Sequence, residues 1–415
     1  MPGPTAYFDP TTTSTLDPAT RDLVERRARS LGSAYRLFYE EPVQFVRGSG
    51  TKLYTADGTE YLDTYNNVPS VGHAHPRVAA AIAEQAARLT THTRYLDRAL
   101  VDYAEDLLSE FPASLANVMF TCTGSEANDL ALRIAKAATG GTGVIVTENA
   151  YHGVTTEIAA VSPSLGGVAS LANWVRTVPA PGDGDFARDV RAAVDSLAAD
   201  GIRPAALLVD TIFASDGVRP EVVGFADAVA AVRGAGGLFV ADEVQPGFGR
   251  LGTGMWGFAR HGLEPDIVTM GKPMGNGHPI AAMVARRELV DAFGSHARYF
   301  NTFGGSSVSI AAAQATLDVI RDEELIAHAK AMGEYLLEIL PSIDGVVEVR
   351  GVGLFIGVRV ANEDVALRAV NDLKRRHILL GESGKDNDVL KIRPPLVFDR
   401  ADADRLLEGL EAVLS

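Results

Sequence analysis

Between residues 115 and 284 the chain alternates short, almost wholly apolar runs with longer amphipathic ones, and nothing else in the sequence limits the fold as strongly. A parallel sheet is covered by helices on both faces, so its strands must be apolar at nearly every position. The runs 118–121, 144–147, 206–209, 238–241, 267–270 and 280–284 meet that requirement. Residues 126–138, 186–199 and 222–233, lying between them, carry apolar side chains at helical spacing. The pattern predicts an α/β fold: a mostly parallel central sheet with helices on both faces, in a large domain over residues 61–315.

The carboxyl-terminal part changes character. Helical stretches at 309–321, 327–340, 364–375 and 400–414 are joined by strand-like 346–350 and 354–360, which predicts a smaller α+β domain over 316–415 built on one antiparallel sheet. Residues 41–47 and 51–55 read as a hairpin that joins that sheet, so 18–60 is assigned as an amino-terminal segment packed with the small domain. Residues 1–17, rich in Thr and Pro, read as a flexible arm.

Charge and composition remove several functions. With 53 acidic and 38 basic residues the chain carries a net charge of -15, which repels nucleic acid. No run approaches the roughly 18 apolar residues that cross a bilayer; residues 78–82, for example, soon meet Glu84 and Gln85. The single cysteine, Cys122, cannot form an intrachain disulfide and fits a reducing, cytoplasmic setting. His73 and His75 lack the spacing of a metal site. Gly252, Gly254 and Gly257 form a G-x-G-x-x-G pattern but follow a loop containing Pro246 and Gly249, not the strand that a dinucleotide site needs. No nucleophile elbow G-x-S-x-G occurs.

Open parallel sheets bind ligands beyond the carboxyl ends of their strands, and four such places carry polar residues. At 121–126 (Thr-Cys-Thr-Gly-Ser-Glu) a strand ends and a helix begins; Gly124, Ser125 and free helix amides make a phosphate cradle, while Thr123 or Ser125 equally suits an ordinary helix cap. Asp242 ends the run 238–241, and an acid there is either half of a structural ion pair or a ligand contact. Lys272, between Gly271 and Pro273, is a surface lysine or the desolvated amine of a Schiff-base enzyme. Tyr151 and His152 follow 144–147 and offer an aromatic face. Jointly the four describe one ligand with a phosphate, a stackable ring, a ring nitrogen held by an acid and an aldehyde for an amine. Pyridoxal 5'-phosphate has all four.

These residues resemble those of the class III, fold type I pyridoxal-phosphate aminotransferases, over residues 39–414 and most specifically at 61–76, 121–129, 150–153, 241–250, 266–279 and 301–305. The resemblance implies Lys272 as the Schiff-base lysine and Asp242 as partner of the ring nitrogen. It implies Gly124 and Ser125 as phosphate ligands, Tyr151 with His152 beside the ring, and Gln245 at the phenolic oxygen. It also implies Thr302 reaching the cofactor of a neighbouring subunit, hence a homodimer with shared sites or a dimer of such dimers.

Within the family, Tyr65-Asn66-Asn67-Val68 with Gly72-His73, Thr93-Arg94-Tyr95-Leu96, MGKPMGNGHP at 270–279 and Leu390-Lys391-Ile392-Arg393-Pro394-Pro395 look like the ethanolamine-phosphate and phosphohydroxylysine phospho-lyases. Many class III aminotransferases place a carboxylate-gripping arginine where this chain has Lys391. Lysine cannot make the planar two-point grip but suits phosphate as a point charge. The resemblance thus implies elimination of phosphate from a phosphorylated amino alcohol: phosphoethanolamine, a phosphorylated hydroxylysine or another. Arg94, Lys391 and Arg393 are the candidate phosphate cations, with His73 and Asn67 as neutral donors; a structural ion pair is the other reading of Arg94 and Arg393. An ω-amine:keto-acid aminotransferase is the competing activity, and a non-catalytic cofactor-binding protein is a third reading. Asp210, where many relatives have glutamate, and Ser306-Ser307, replacing a common Asn-Pro, depart from the family pattern.

Overall fold

A computed structural model describes residues 7–166, 171–182 and 184–415. The described residues form three sheets. The first opens with the hairpin β1 (Arg47–Ser49) and β2 (Lys52–Tyr54), to which β3 (Glu60–Asp63) pairs antiparallel. The second contains β4 (Leu115–Thr121), β5 (Gly143–Thr147), β6 (Val175–Val178), β7 (Pro204–Asp210), β8 (Leu238–Asp242), β9 (Ile267–Met270) and β10 (Ala281–Arg286), in the order β4-β10-β9-β8-β7-β5-β6. The third contains β11 (Glu348–Val352), β12 (Phe355–Arg359), β14 (Gly381–Ser383) and β15 (Val389–Ile392), all antiparallel, in the order β11-β12-β15-β14. Between β12 and β14, β13 (Ile378–Leu379) leaves to pair parallel with β3.

The central sheet is mostly parallel, as the apolar runs require. Strand β5 is buried throughout, and β7 is buried up to Asp210. Two features differ from the sequence expectation. Strand β10 runs antiparallel to both β4 and β9, a direction that an apolar run does not encode. Strand β6, Val-Arg-Thr-Val, was not expected; it lies at the sheet edge with its two central residues half-buried, and an edge strand tolerates polar positions that a central one does not.

The hairpin is corrected in two ways. Its first strand begins at Arg47, not at residue 41; only Val46 N–H, donating to Tyr54 O at 2.9 Å, extends the pairing, and Pro42 has no N–H to offer a ladder. Nor does it enter the antiparallel sheet of the carboxyl-terminal part. It belongs to the separate sheet β1-β2-β3-β13, joined to the end of the chain by β13 and by side-chain bonds from Thr51 and Lys52 to Asp402 and from Arg405 to Glu60. In the amino-terminal arm Tyr7 bridges Phe38 and Phe8 is buried, and Pro10–Thr15 form a 3-10 helix, capped by Asp9, that buries none of its residues. The helix Pro18–Leu31 that follows buries none of its residues. No helix among the described residues is long and apolar enough to cross a membrane.

Because β10 is antiparallel to both neighbours, β4 runs the same way as β5, β7, β8 and β9. The residues that follow all five strands therefore meet along one edge, which is where the candidate site lies.

Candidate active site

The floor of the site is a hydrogen-bond network around Asp242, in which His152 Nε2 alone stays without a partner among the described residues. Its Oδ1 accepts Val244 N–H at 3.0 Å, and its Oδ2 accepts Asn128 Nδ2 at 2.9 Å and His152 Nδ1 at 2.8 Å. The carboxylate can only accept, so the proton of His152 is assigned to Nδ1. Asn128 comes from the helix Gly124–Thr139 and is itself fixed: its Nδ2 also reaches His152 O at 2.8 Å, and its Oδ1 accepts Thr269 Oγ1 of β9 at 2.6 Å. His152 N–H donates to Ser162 Oγ at 3.0 Å. Sequence reasoning missed Asn128 and Thr269. Their signal was available, since each is a polar residue inside an apolar stretch, and a buried polar group needs a partner.

Lys272 stands just past β9, with Nζ 6.0 Å from the centroid of the Tyr151 ring. Among the described residues this amine has no hydrogen-bond or ion-pair partner. Burial, and then the positive charge of Arg393, push its pKa below the ordinary lysine value, against the pull of Asp242 and Asp210. A desolvated, unpartnered amine is what nucleophilic attack on an aldehyde requires.

At the start of the helix Gly124–Thr139 the two readings of residues 121–126 turn out to be complementary. Thr123 is the cap: its Oγ1 accepts Glu126 N–H at 3.2 Å, while Glu126 Oε2 accepts the N–H groups of Cys122 at 2.7 Å and Thr123 at 3.1 Å. That capping box leaves Gly124 and Ser125 facing the cleft. Space there is tight enough to demand glycine. A Cβ on Gly124 would stand 2.9 Å from Val244, and one on Gly153, whose φ is +136°, would stand 2.3 Å from Ser125 Oγ. Gly124, Ser125, Tyr151, Asp242, Gln245 and Lys272 line one cavity of about 90 Å³. Asp210 joins them at the end of β7; its two oxygens accept Ile212 N–H at 2.9 Å and Ala214 N–H at 3.0 Å. Burial and the neighbouring Asp242 raise its pKa to about 6.

A cationic wall stands behind Gln245, outside the residues that line that cavity. Arg393 donates through Nη1 to Gln245 Oε1, which also accepts Asn67 Nδ2 at 3.4 Å, and its guanidinium lies 4.7 Å from the Tyr65 ring centroid. Lys391 is buried beside it, its Nζ donating to Ser383 Oγ at 3.1 Å and Ala214 O at 3.4 Å. Burial and Arg393 push the Lys391 pKa well down. Neither cation forms an ion pair with a carboxylate among the described residues, so the structural-ion-pair reading of Arg393 does not hold. Behind them lies Arg250, not singled out from the sequence, buried and donating to Leu354 O at 3.1 Å and Pro394 O at 2.6 Å; burial and Arg393 lower its pKa to about 9.

Asn67, Lys391 and Arg393 stand next to the cavity without lining it, and three other sequence candidates lie apart from both the cavity and the cation pair. His73 is turned to Asp63, with Nε2 2.7 Å from Oδ2, and its Cβ lies where a side chain on Gly48 would need to be; it braces the first sheet. Arg94 is exposed, its guanidinium 3.7 Å from the Phe300 ring centroid and without an acidic partner among the described residues. Thr302 is exposed next to Phe303.

The residues that remain fit pyridoxal phosphate: an acceptor for the ring nitrogen in Asp242, amides for the phosphate at Gly124 and Ser125, a ring in Tyr151 and an amine in Lys272. The comparisons agree. The model of the class III aminotransferases matches residues 38–414. A Drosophila melanogaster protein called alanine–glyoxylate aminotransferase 2-like is 37% identical over 95% of this chain and 87% of its own length. A Caenorhabditis elegans ethanolamine-phosphate phospho-lyase homolog is 35% identical over 98% of this chain and 96% of its own. Among solved structures, a phospholyase from Arthrobacter in complex with phosphoethanolamine is 43% identical, with a TM-score of 0.91 over 95% of this chain and 99% of that one. With the cofactor cleft and these matches together, the chain belongs to the class III aminotransferase family and depends on pyridoxal 5'-phosphate.

Proposed function

We propose that this protein is a phospho-lyase that eliminates phosphate from a phosphorylated amino alcohol, with O-phosphoethanolamine as substrate and acetaldehyde, ammonia and inorganic phosphate as products. The observation that carries the reading is the pair of buried cations, Lys391 and Arg393, whose partners in the protein are neutral oxygens. Two buried positive charges without a carboxylate are costly, which is why the Lys391 pKa is pushed well down, and a phosphate dianion placed between them and Lys272 offsets that cost and holds the proton on Lys391. A single carboxylate supplies half the charge, and Lys391 cannot grip it at two points. The Arthrobacter and C. elegans relatives support the same choice.

When bound, the cofactor supplies an electron sink for the bond broken at the amine-bearing carbon. Asp242, held by Asn128, His152 and the Val244 amide, keeps a proton on the ring nitrogen that faces it. Gly124 and Ser125 fix the cofactor phosphate at the helix start, and Tyr151 fixes the ring plane. Lys272 Nζ takes the proton from the amine-bearing carbon as general base. The electron pair left there expels the phosphate from the adjacent carbon by breaking its C–O bond, and Lys391 and Arg393 receive the leaving dianion. The carbon that lost phosphate takes up a proton, and water adds to the amino-bearing carbon, whose C–N bond then breaks to release acetaldehyde and ammonia.

The second subunit is part of this proposal. Tyr95, Leu96, Phe300 and Phe303 are exposed around Arg94 and Thr302, an apolar rim of the kind that self-association covers; we place a homodimer contact there, with Thr302 directed to the partner's cofactor. The single cysteine is a free thiol, which supports a cytoplasmic setting.

The test is to mix the cofactor-loaded protein with phosphoethanolamine and no keto acid, and to assay phosphate and acetaldehyde. Equimolar release, abolished in Lys272→Ala, is expected. Absence of release together with transfer of the amino group to pyruvate or 2-oxoglutarate sinks the proposal in favour of an aminotransferase.

A further inference from the structure

Lys391 sits in a slot that the sheet register builds for it. On β15 it pairs with Gly381 of β14 on one side and Gly357 of β12 on the other, so neither cross-strand neighbour brings a side chain. The space is already taken. A Cβ on Gly381 would lie 2.7 Å from the Tyr65 ring, and one on Gly357 would lie 3.1 Å from Val218. The stem of Lys391 is thus fixed between strands whose own side chains cannot compete for its ammonium.

The head of that side chain is fixed by Ser383. This residue stands two positions beyond Gly381 on β14, on the same face and diagonal to Lys391. Ser383 is buried, and its hydroxyl proton is given to Ala214 O at 2.8 Å. With its only proton committed, Ser383 Oγ faces Lys391 Nζ purely as an acceptor, at 3.1 Å. Ala214 O accepts both groups, and Ala214 N–H is tied at 3.0 Å to Asp210, the carboxylate that lines the cofactor cavity. The turn between them holds Phe213 in the left-handed region at φ +53°. Asp210 therefore secures a strained turn whose carbonyl, with Ser383, takes two of the three protons of Lys391 and leaves the third for a ligand.

We propose that Ser383 is a positioning residue that sets the specificity of this site for phosphate: it orients the Lys391 ammonium without neutralising it. The proposal rests on the phospho-lyase reading for its substrate but on the protein's own register for its geometry. An acid at position 383 would hold Lys391 as firmly and cancel its charge; a serine holds it and leaves the charge for an incoming dianion. The groups facing Lys391 are Arg393, Lys272, Asp210 and Glu382, and of these Asp210 has both oxygens occupied by backbone amides.

The experiment uses cofactor-loaded wild type, Ser383→Ala, Ser383→Thr and Ser383→Asp. Steady-state release is measured with phosphoethanolamine, and binding of inorganic phosphate is followed by calorimetry. Loss of one hydrogen bond to a charged group predicts that Ser383→Ala raises both KM and the phosphate Kd about tenfold, with kcat within about threefold of wild type. Ser383→Asp raises both about a hundredfold, because it supplies the negative charge itself. Ser383→Thr, which keeps the hydroxyl, stays near wild type and shows that the strand tolerates substitution. Unchanged KM and Kd in both the Ala and Asp variants of an active enzyme overturn the role of Ser383 alone. A wild type that releases no phosphate, yet binds it in a Ser383-dependent way, overturns the proposed reaction and leaves the anion site standing. If wild type neither turns over nor binds phosphate, both fall.

Discussion

The two walls of the cleft are built on opposite principles. Around Asp242 every donor meets an acceptor: Asn128, His152 and the Val244 amide converge on one carboxylate, and Thr269 closes the network from β9. Around Lys391 and Arg393 the accounts do not balance, because two buried cations share Gln245, Ser383 and a carbonyl but no carboxylate. The first arrangement is nearly complete within the protein, with only His152 Nε2 unpartnered among the described residues, and holds a permanent resident. The second is incomplete until an anion enters, as a substrate pocket should be. A saturated network gives rigidity, whereas an unsaturated one gives affinity for what it lacks.

Substitutions separate the two walls. The largest effect is expected for Asp242→Asn, which keeps the shape but places an amide NH₂ or a neutral oxygen where Asn128 and His152 both donate. It should lower kcat for phosphate release by about a thousandfold while the KM for phosphoethanolamine moves little. Cofactor absorbance and steady-state assays check this, and a change confined to KM would show that Asp242 belongs to the substrate wall instead. Lys391→Met removes a cation from the unsaturated wall while preserving the volume of its stem. It should raise KM about thirtyfold with a smaller loss in kcat, the converse of the first result. Equal losses in both parameters would erase the distinction between the walls.

The smallest effect concerns Asp210, which links the two. Its folded pKa of about 6 lies above the ordinary carboxylate value because of burial and Asp242. The unfolded chain ionises first, so wild type loses stability as pH rises through the window between the ordinary value and about 6, and the loss is constant above it. Asp210→Asn has no such loss. Between about pH 4 and pH 7 the stability of the variant relative to wild type should therefore rise by about 1 to 2 kcal/mol, read from denaturant unfolding at the two pH values. A difference that stays flat across this range would show that Asp210 is solvated like a surface acid.

Much of this was legible in the primary structure. Lys272, Asp242, Gly124, Ser125 and Tyr151 each follow a run apolar enough to be a buried strand, and the chemistry of open sheets places such residues at one edge. His73 misled because a histidine after a Gly in a family-like motif carries no sign of its neighbour; Asp63 claims it only once β3 and the Gly50–His73 bridge are in place. Residues 41–47 misled because their apolar content resembles a strand while Pro42 prevents one.

What the sequence determined by itself was local: which segments are buried strands, since only apolar side chains survive between two layers of helices, and which reactive residue types stand where those strands end. What only the tertiary structure decided was partnership. Asn128 meets Asp242 across 114 positions of chain, Arg393 meets Gln245 across 148, and Lys391 meets Ala214 across 177. Such pairings depend on sheet order, on the antiparallel direction of β10 and on the register that sets Lys391 between two glycines. Those are properties of how elements pack, and a one-residue slip of β15 in register would turn Lys391 to the other face without changing a single letter of the sequence.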